Sequence, residues 1–254
     1  MKKIKLVLLK LLGERKYLYF VANSFQGLFR TGRLGKEYQD IYFLKKFIRP
    51  GNVCVDIGAH LGYYSFELSR LVGPTGKLIA VEPVSKFHDV LQKIIRLKGI
   101  DNITLIKVAL GGEGKVVEIG IPRINKEKKY GYARIRKLSE YLEYAESESV
   151  DNANGDDLFK ELSRLDFVKC DVEGAEVPVF QSMLITIRLH MPVILAELAD
   201  KNERIRMYEI LKPFGYKVYL LRDRNLVKID VHSEEKAISH NHYFIPDSKL
   251  SIFN

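Results

Sequence analysis

The 254-residue chain has no tryptophan, two cysteines, four methionines and six histidines. Two cysteines cannot form a disulfide framework or a four-thiolate metal site. Cys54 and Cys170 each fall in an apolar run, and both read as reduced core thiols. Histidine is equally sparse. His240 and His242 alternate on one predicted strand, but no cysteine or third histidine stands nearby, so no metal centre is expected. Long apolar runs are missing too. The first, Leu6 to Leu9, ends at Lys10. That is too short for a spanning helix and poor as a signal-peptide core, which makes the cytoplasm the expected compartment.

What is present is an ordinary globular composition, 46% apolar and 29% charged, in a chain long enough for one large domain with its own core. The charge is placed unevenly. Residues 1–50 carry twelve Lys/Arg against three Asp/Glu, which accounts for all of the net +9. A basic head on a neutral body suits an anionic partner, whether acidic lipid, an anionic carrier or nucleic acid; the alternative is a solvated helical face. Residues 1–50 are therefore expected as a basic helical extension, with peripheral contact at a membrane surface open to it.

The order of predicted elements sets the fold class. MKKIKLVLLKLLGERKY reads as a helix, and the apolar spacing of KEYQDIYFLKKFI predicts a second, stopped at Pro50-Gly51. Strands are then expected at 52–57, 77–82, 103–110, 166–172 and 192–198, with 115–121 as an additional one. Helices are expected at 61–71, 84–97, after 172 to about 188, and near 203–211. Two further strands, 216–221 and 241–246, have no long helix between them and suit an antiparallel edge. This alternation predicts an α/β domain over 51–254, with a mostly parallel sheet covered on both faces. A polar segment within an insertion at about 115–165 is a candidate lid or acceptor-recognition element, or a plain surface insertion.

Ligands of open parallel sheets bind beyond the carboxyl ends of the strands. Asp56, Glu82, Ala109, Asp171 and Glu197 all fall at such predicted ends, and four of the five are acids. Acids there repel phosphates and attract cations and hydroxyl donors. The loop DIGAHLG spaces its glycines G-x-x-x-G, not the G-x-G-x-x-G of a dinucleotide site, and no phosphate-loop lysine follows. The expected ligand has a ribose and a positive centre but no phosphate, and S-adenosylmethionine fits. Gly58 and Gly62 would admit it closely. Asp56 would order the loop and face its ammonium, Glu82 would take ribose hydroxyls, and Val108 and Ala109 would flank the adenine. Tyr63 or Tyr64 would face the sulfonium, or else pack in the core.

A second acidic stretch, FVKCDVEGAEVPVF (167–180), crowds Asp171, Glu173 and Glu176 at a strand-to-helix turn. Acids this close repel one another and raise pKa values unless a cation such as Lys169 intervenes. Asp171 and Glu173, then Glu197, are the candidate bases. His60 suits an orienting or structural role better because it sits inside the cofactor loop, and Glu176 reads as a helix N-terminal charge.

DIGAHLGYYS, VEP at 81–83, VALGGEG at 108–114 and above all FVKCDVEGAE resemble the FkbM family of S-adenosylmethionine-dependent methyltransferases over about residues 37–198. The resemblance implies a Rossmann-like sheet of seven strands, order 3-2-1-4-5-7-6, with the seventh reversed. It also implies a cofactor site that takes in Ala59, His60 and Pro83, and O-methylation of a sugar or other small-molecule hydroxyl. Where the family often has threonine-leucine-aspartate before the fourth strand, this chain reads NANGDDL, with Asp157 in that place. Two other readings stay open. One is a nucleic-acid methyltransferase, which the basic head favours and the lack of any RNA-binding module disfavours. The other is a binding protein that keeps the fold without catalysis.

Overall fold

In the computed structural model, which describes residues 2–136, 142–235, 237 and 240–253, with side chains from residue 7, the apolar runs assemble a central sheet with helices on both faces. The chain enters through α1 (Lys2–Leu12) and α2 (Glu14–Arg30). The single basic helix expected at the N-terminus is thus two, because Gly13 takes a left-handed φ of 72°. After a turn at Lys36–Tyr38, α3 (Gln39–Phe43) and a second turn at Leu44–Lys46 replace the continuous second helix. Their apolar positions do what the spacing demanded: Ile41, Phe43, Leu44, Phe47 and Ile48 are buried against Phe167, Val193, Tyr243 and Ile245 of the sheet.

Next come β1 (Val53–Ile57), α4 (Ser65–Val72), β2 (Lys77–Val81), α5 (Ser85–Lys98) and β3 (Ile103–Ile106). Helix α4 starts four residues later than expected because the glycine loop occupies 58–62. Helix α5 ends on the left-handed Gly99, a common C-terminal stop.

The expected strand 103–110 is divided. Ile103–Ile106 pairs with β2, whereas Ala109–Leu110 leaves the sheet as β4 and pairs with Asn152 and Ala153. Ala109 therefore does not end a central strand.

The described residues between 109 and 153 build a second, smaller sheet. Its strands are β4 (Ala109–Leu110), β5 (Val116–Ile124), β6 (Glu127–Lys128), β7 (Arg134–Ile135) and β8 (Tyr144–Ala153). The long antiparallel pair β5–β8 turns Val117, Ile119, Ile121 and Val150 onto Phe87, Val90 and Ile94 of α5 and Leu18 and Ala22 of α2. The polar part of the insertion, β6 to β7 with a turn at Tyr130–Tyr132, stands over the ends of the central strands. Within the same insertion, residues 137–141 lie outside the described residues.

The chain continues through α6 (Gly155–Phe159), β9 (Phe167–Cys170), α7 (Glu176–Gln181), α8 (Leu184–His190), β10 (Val193–Glu197), α9 (Lys201–Leu211), β11 (Tyr216–Arg222), β12 (Asn225–Lys228) and β13 (Asn241–Pro246). The helix expected up to about Arg188 is interrupted at Ser182–Met183. The central sheet has the order β3-β2-β1-β9-β10-β13-β11-β12. Strands β3, β2, β1, β9 and β10 are parallel, and β13 runs antiparallel to both its neighbours. Without β12 this is the order the resemblance implied, reversed strand included. Two details differ from expectation. The sheet has an eighth strand, because Asp223 and Arg224 both take positive φ and fold β11 back on itself in a two-residue hairpin. The closing antiparallel pair is also not an edge, since β13 is inserted between β10 and β11 with Tyr243, Phe244 and Ile245 fully buried.

Candidate functional site

At the carboxyl ends of β1, β2, β9 and β10 the sheet opens into a cleft of about 990 Å³, walled by α2 and roofed by the β6–β7 segment. That is the upper end of the range for small-molecule sites, with room for two ligands side by side. Its lining brings together Asp56, Gly58, Ala59, His60, Tyr63, Glu82, Pro83, Val108, Ala109, Asp171, Glu173 and Glu197. Tyr64 and Lys169 join them. Gly62 does not.

The two glycines of the loop serve the chain itself more than a ligand. Gly58 has φ 80°, and a Cβ there would stand 1.9 Å from the carbonyl oxygen of Asp171, so the loop after β1 and the end of β9 approach this closely only because the side chain is absent. Gly62, with φ 82°, backs onto Phe66 and Leu91, either of which a Cβ would strike. Gly62 stands outside the cleft lining, and its positive φ together with the packing of Phe66 and Leu91 gives the chain its own reason for a glycine there. His60 between them is a non-glycine residue at φ 49°, a strained conformation of the kind that collects at binding sites.

Glu82 holds the loop in place. Its two carboxylate oxygens accept the backbone N–H of His60 at 2.6 Å and of Val84 at 2.8 Å. Burial raises its pKa to about 8 against the pull of those two donors. Asp56 is also buried and accepts the Ser65 hydroxyl at 2.5 Å, which fixes the first turn of α4 under the loop. Burial lifts its pKa to about 6, opposed by Ser65 and Lys169. The His60 ring packs edge-on against Phe87, with centroids 4.2 Å apart, and its Nε2 is buried without a protein partner. Burial lowers its pKa to about 4, so the imidazole is neutral at physiological pH and ready to exchange a hydrogen bond with a ligand.

Across the cleft stands a charged group that the sequence indicated only in part. Lys169 on β9 is buried, 3.7 Å from Asp171 and 5.1 Å over the ring of Tyr64. Burial alone would lower its pKa, but Asp171 and Glu197 outweigh burial, and the net shift is upward. Asp171 and Glu197 lie within hydrogen-bonding reach of each other; burial and the Asp171 charge raise Glu197 to about 8. Glu173 has φ 58° and meets Arg134 of the roof at 3.2 Å. Burial and Asp171 lift its pKa to about 7 despite that partner. Glu176 turns away from chemistry: it accepts the N–H groups of Val172 and Gly174 and closes the start of α7. Asp157 lies in the first turn of α6, outside the cleft lining, and its neighbour Asp156 is the residue that binds Thr186.

Sequence reasoning missed the walls. Tyr17, Leu18 and Val21 of α2, Tyr38, Lys128 to Arg134 of the roof, and Asn241 all face the cleft. Only the polarity of the insertion pointed to any of them. The α2 wall and the roof are tied by Glu14, which accepts from Tyr130 at 2.6 Å, Lys86 at 3.1 Å and Lys128 at 3.2 Å. Both lysines also pair with Glu146.

The loop end of the cleft suits a phosphate-free cation. Its polar lining is carboxylate, the adjoining cation Lys169 is already neutralised, and Val84, Val108 and Ala109 supply an apolar slot next to Glu82.

A family model described as "Methyltransferase FkbM domain" matches residues 56–218. The chain is 30% identical over 76 residues to a protein-L-isoaspartate O-methyltransferase of Methanopyrus kandleri, covering 30% of this chain and 34% of that protein. It is 37% identical over 67 residues to one of Fervidobacterium nodosum, covering 26% and 33%. The chain thus spans about a third of the length of these relatives. Among solved structures it is similar to a methyltransferase FkbM from Methylobacillus flagellatus, with 16% identity, TM-score 0.49, and coverage of 80% of this chain and 50% of that one. It is also similar to Aeropyrum pernix fibrillarin in complex with natively bound S-adenosylmethionine, with 13% identity, TM-score 0.45, and coverage of 82% and 72%.

Proposed function

Because the chain belongs to the FkbM methyltransferase family and uses S-adenosylmethionine as its methyl donor, we propose that it methylates a hydroxyl oxygen of a sugar, a glycan or a similarly polyhydroxylated small molecule. The observation that carries this reading is the lining away from the glycine loop. There Tyr38, Tyr130 and Tyr132 join Glu37, Glu173 and Glu197 in the lining. Tyrosine offers an apolar ring face and a polar tip, and carboxylates accept hydroxyl protons, which together suit a ring bearing several hydroxyls.

The same lining disfavours a nucleic-acid backbone. Phosphates need free cations. Here Lys128 is paired with Glu14 and Glu146, Lys129 with Glu127, Arg134 with Glu173, and Lys169 with Asp171.

When bound, the cofactor supplies a methyl carbon activated by its sulfonium. The protein's own contribution would be above all one of positioning, with the cleft walls holding the acceptor hydroxyl against the Asp171–Glu197 end of the site. The Asp171–Glu197 pair would take the proton that the acceptor hydroxyl gives up. Lys169 opposes the upward shift of Glu197 and so favours the ionised form of the pair. A base so placed contributes about 10²–10⁴-fold. Glu173, steered by Arg134, orients a neighbouring hydroxyl.

The test is single-turnover methylation at saturating cofactor, with the acceptor found by comparing glycans and metabolites by mass spectrometry with and without the gene. A compound that gains one methyl on a hydroxyl supports the reading. Gain of a methyl on nitrogen, on a protein carboxyl or on RNA defeats it.

A further inference from the structure

Helix α2 has two working faces. One is buried through Leu18, Ala22 and Phe25 and helps to wall the cleft. The opposite face carries Lys16 and Phe20 into solvent, and Leu28 is exposed on the flank near the end of the helix. Helix α1 adds Val7, Lys10 and Leu11, which share one exposed face because they are three and four residues apart. Leu11 is 76% exposed, Val7 54%, Phe20 48% and Leu28 46%. Exposed apolar residues are usually scattered singly. Here a third of the large ones among the described residues fall in one helix pair.

The charge around them is mostly of one sign, although Arg15 is paired with the partly exposed Asp89 of α5. Lys10, Lys16, Arg30 and Arg33 are exposed in the same segment, and the segment's first acid, Glu14, is engaged by the roof. Residues 1–50 account for the whole positive excess of the chain. Neither helix is long and apolar enough to cross a bilayer. Apolar side chains interleaved with cations on short helices match the boundary of an anionic bilayer, where lipid tails take the former and headgroups the latter.

We propose that α1 and α2 dock this protein on an anionic phospholipid surface, with Val7, Leu11, Phe20 and Leu28 inserted among the headgroups and the lysines on the lipid phosphates. A helix with side chains is about 10–12 Å across, so docking brings the cleft wall within one helix diameter of the bilayer. The docking stands apart from the methylation reading and is tested without acceptor.

The experiment is vesicle flotation of the full chain at physiological ionic strength. It uses phosphatidylglycerol–phosphatidylcholine vesicles and phosphatidylcholine alone, with generic single-stranded RNA as a parallel arm. The protein is expected to float with the anionic vesicles and not with the neutral ones. Leu11→Ser with Phe20→Ser, and separately Lys10→Gln with Lys16→Gln, are each expected to weaken partitioning roughly tenfold or more. Affinity for S-adenosylmethionine, measured by calorimetry, should be unchanged in both, which shows the fold intact. Three results would overturn the proposal: no flotation of the unaltered protein, flotation that survives the Leu11/Phe20 exchange, or RNA binding in place of vesicle binding.

Discussion

Lys169 and Asp171 stand two residues apart at the end of β9, and the Lys169 ammonium, itself buried, lies 3.7 Å from the Asp171 carboxylate. Lys169 is thus the counter-ion for Asp171 and, by proximity, for Glu197 and Asp56. Replacing it by methionine keeps the volume and leaves those acids uncompensated. Lys169→Met should lower stability by about 2 kcal/mol, less than the 3–5 kcal/mol of a fully buried broken pair, because Asp171 is about a third exposed. Chemical denaturation of the apoprotein measures this.

The same cluster sets the pH dependence of the reaction. A base must be ionised to accept the hydroxyl proton, and Glu197 is held near 8 by burial and by Asp171. The single-turnover rate should therefore rise with pH through about 7–8, well above the ordinary carboxylate range. In Glu197→Gln this rising limb should flatten or move down toward neutrality, and Asp171→Asn should lower the plateau by about 10²-fold or more. A rate independent of pH between 6 and 9 in the unaltered enzyme would mean that positioning alone carries the step.

Stability and cofactor binding should respond to pH with opposite signs. Glu82 near 8, Glu197 near 8 and Glu173 near 7 are all raised by burial, so the folded apoprotein holds more protons than the unfolded chain above about 4.5. Their stabilisation is complete below the unfolded carboxylate pKa and is lost as pH rises through 7–8. A cationic ligand favours the ionised acids, so S-adenosylmethionine affinity should increase over that same window, with protons released to buffer. Calorimetry in two buffers of different ionisation enthalpy counts them. Glu82→Gln should release fewer, and should also lose about 1–3 kcal/mol of stability because its amide cannot accept both the His60 and Val84 N–H groups.

Much of this site was legible because parallel strands place chemistry at their carboxyl ends. Asp56, Glu82, Asp171 and Glu197 could be assigned to the cleft from strand periodicity alone. Their partners could not. Glu82 binds two backbone N–H groups of its own loop region, which depends on how the loop closes. Gly58 is required by the Asp171 carbonyl, more than a hundred residues away. The division of 103–110 was invisible because Ala109 is as apolar as a strand end and leaves the sheet only to meet Asn152. The α2 wall was hidden for a related reason: an amphipathic helix declares that it buries a face, but not against what.

Glu14 offers the sharpest test of that wall. Its carboxylate is held at about 2: burial raises the pKa, but hydrogen bonds from Tyr130, Lys86 and Lys128 outweigh it. The lowered value means that its stabilisation is present above the ordinary carboxylate range and is lost as pH falls toward 2. In Glu14→Gln the amide retains the Tyr130 hydrogen bond but loses the charge that holds both lysines, so the roof should loosen from α2. The group is about a third exposed, and solvent screening limits the stability cost to about 1 kcal/mol. The larger effect should fall on the acceptor, because Tyr130 and Tyr132 line its half of the cleft while the loop around Glu82 is untouched. The acceptor KM is expected to rise severalfold to about tenfold, equivalent to about 1.4 kcal/mol, with S-adenosylmethionine affinity unchanged. Tyr130→Phe, which removes only the hydroxyl, should reproduce a smaller part of the same KM effect. Equal losses of acceptor and cofactor binding would instead show that the network supports the whole domain rather than the roof.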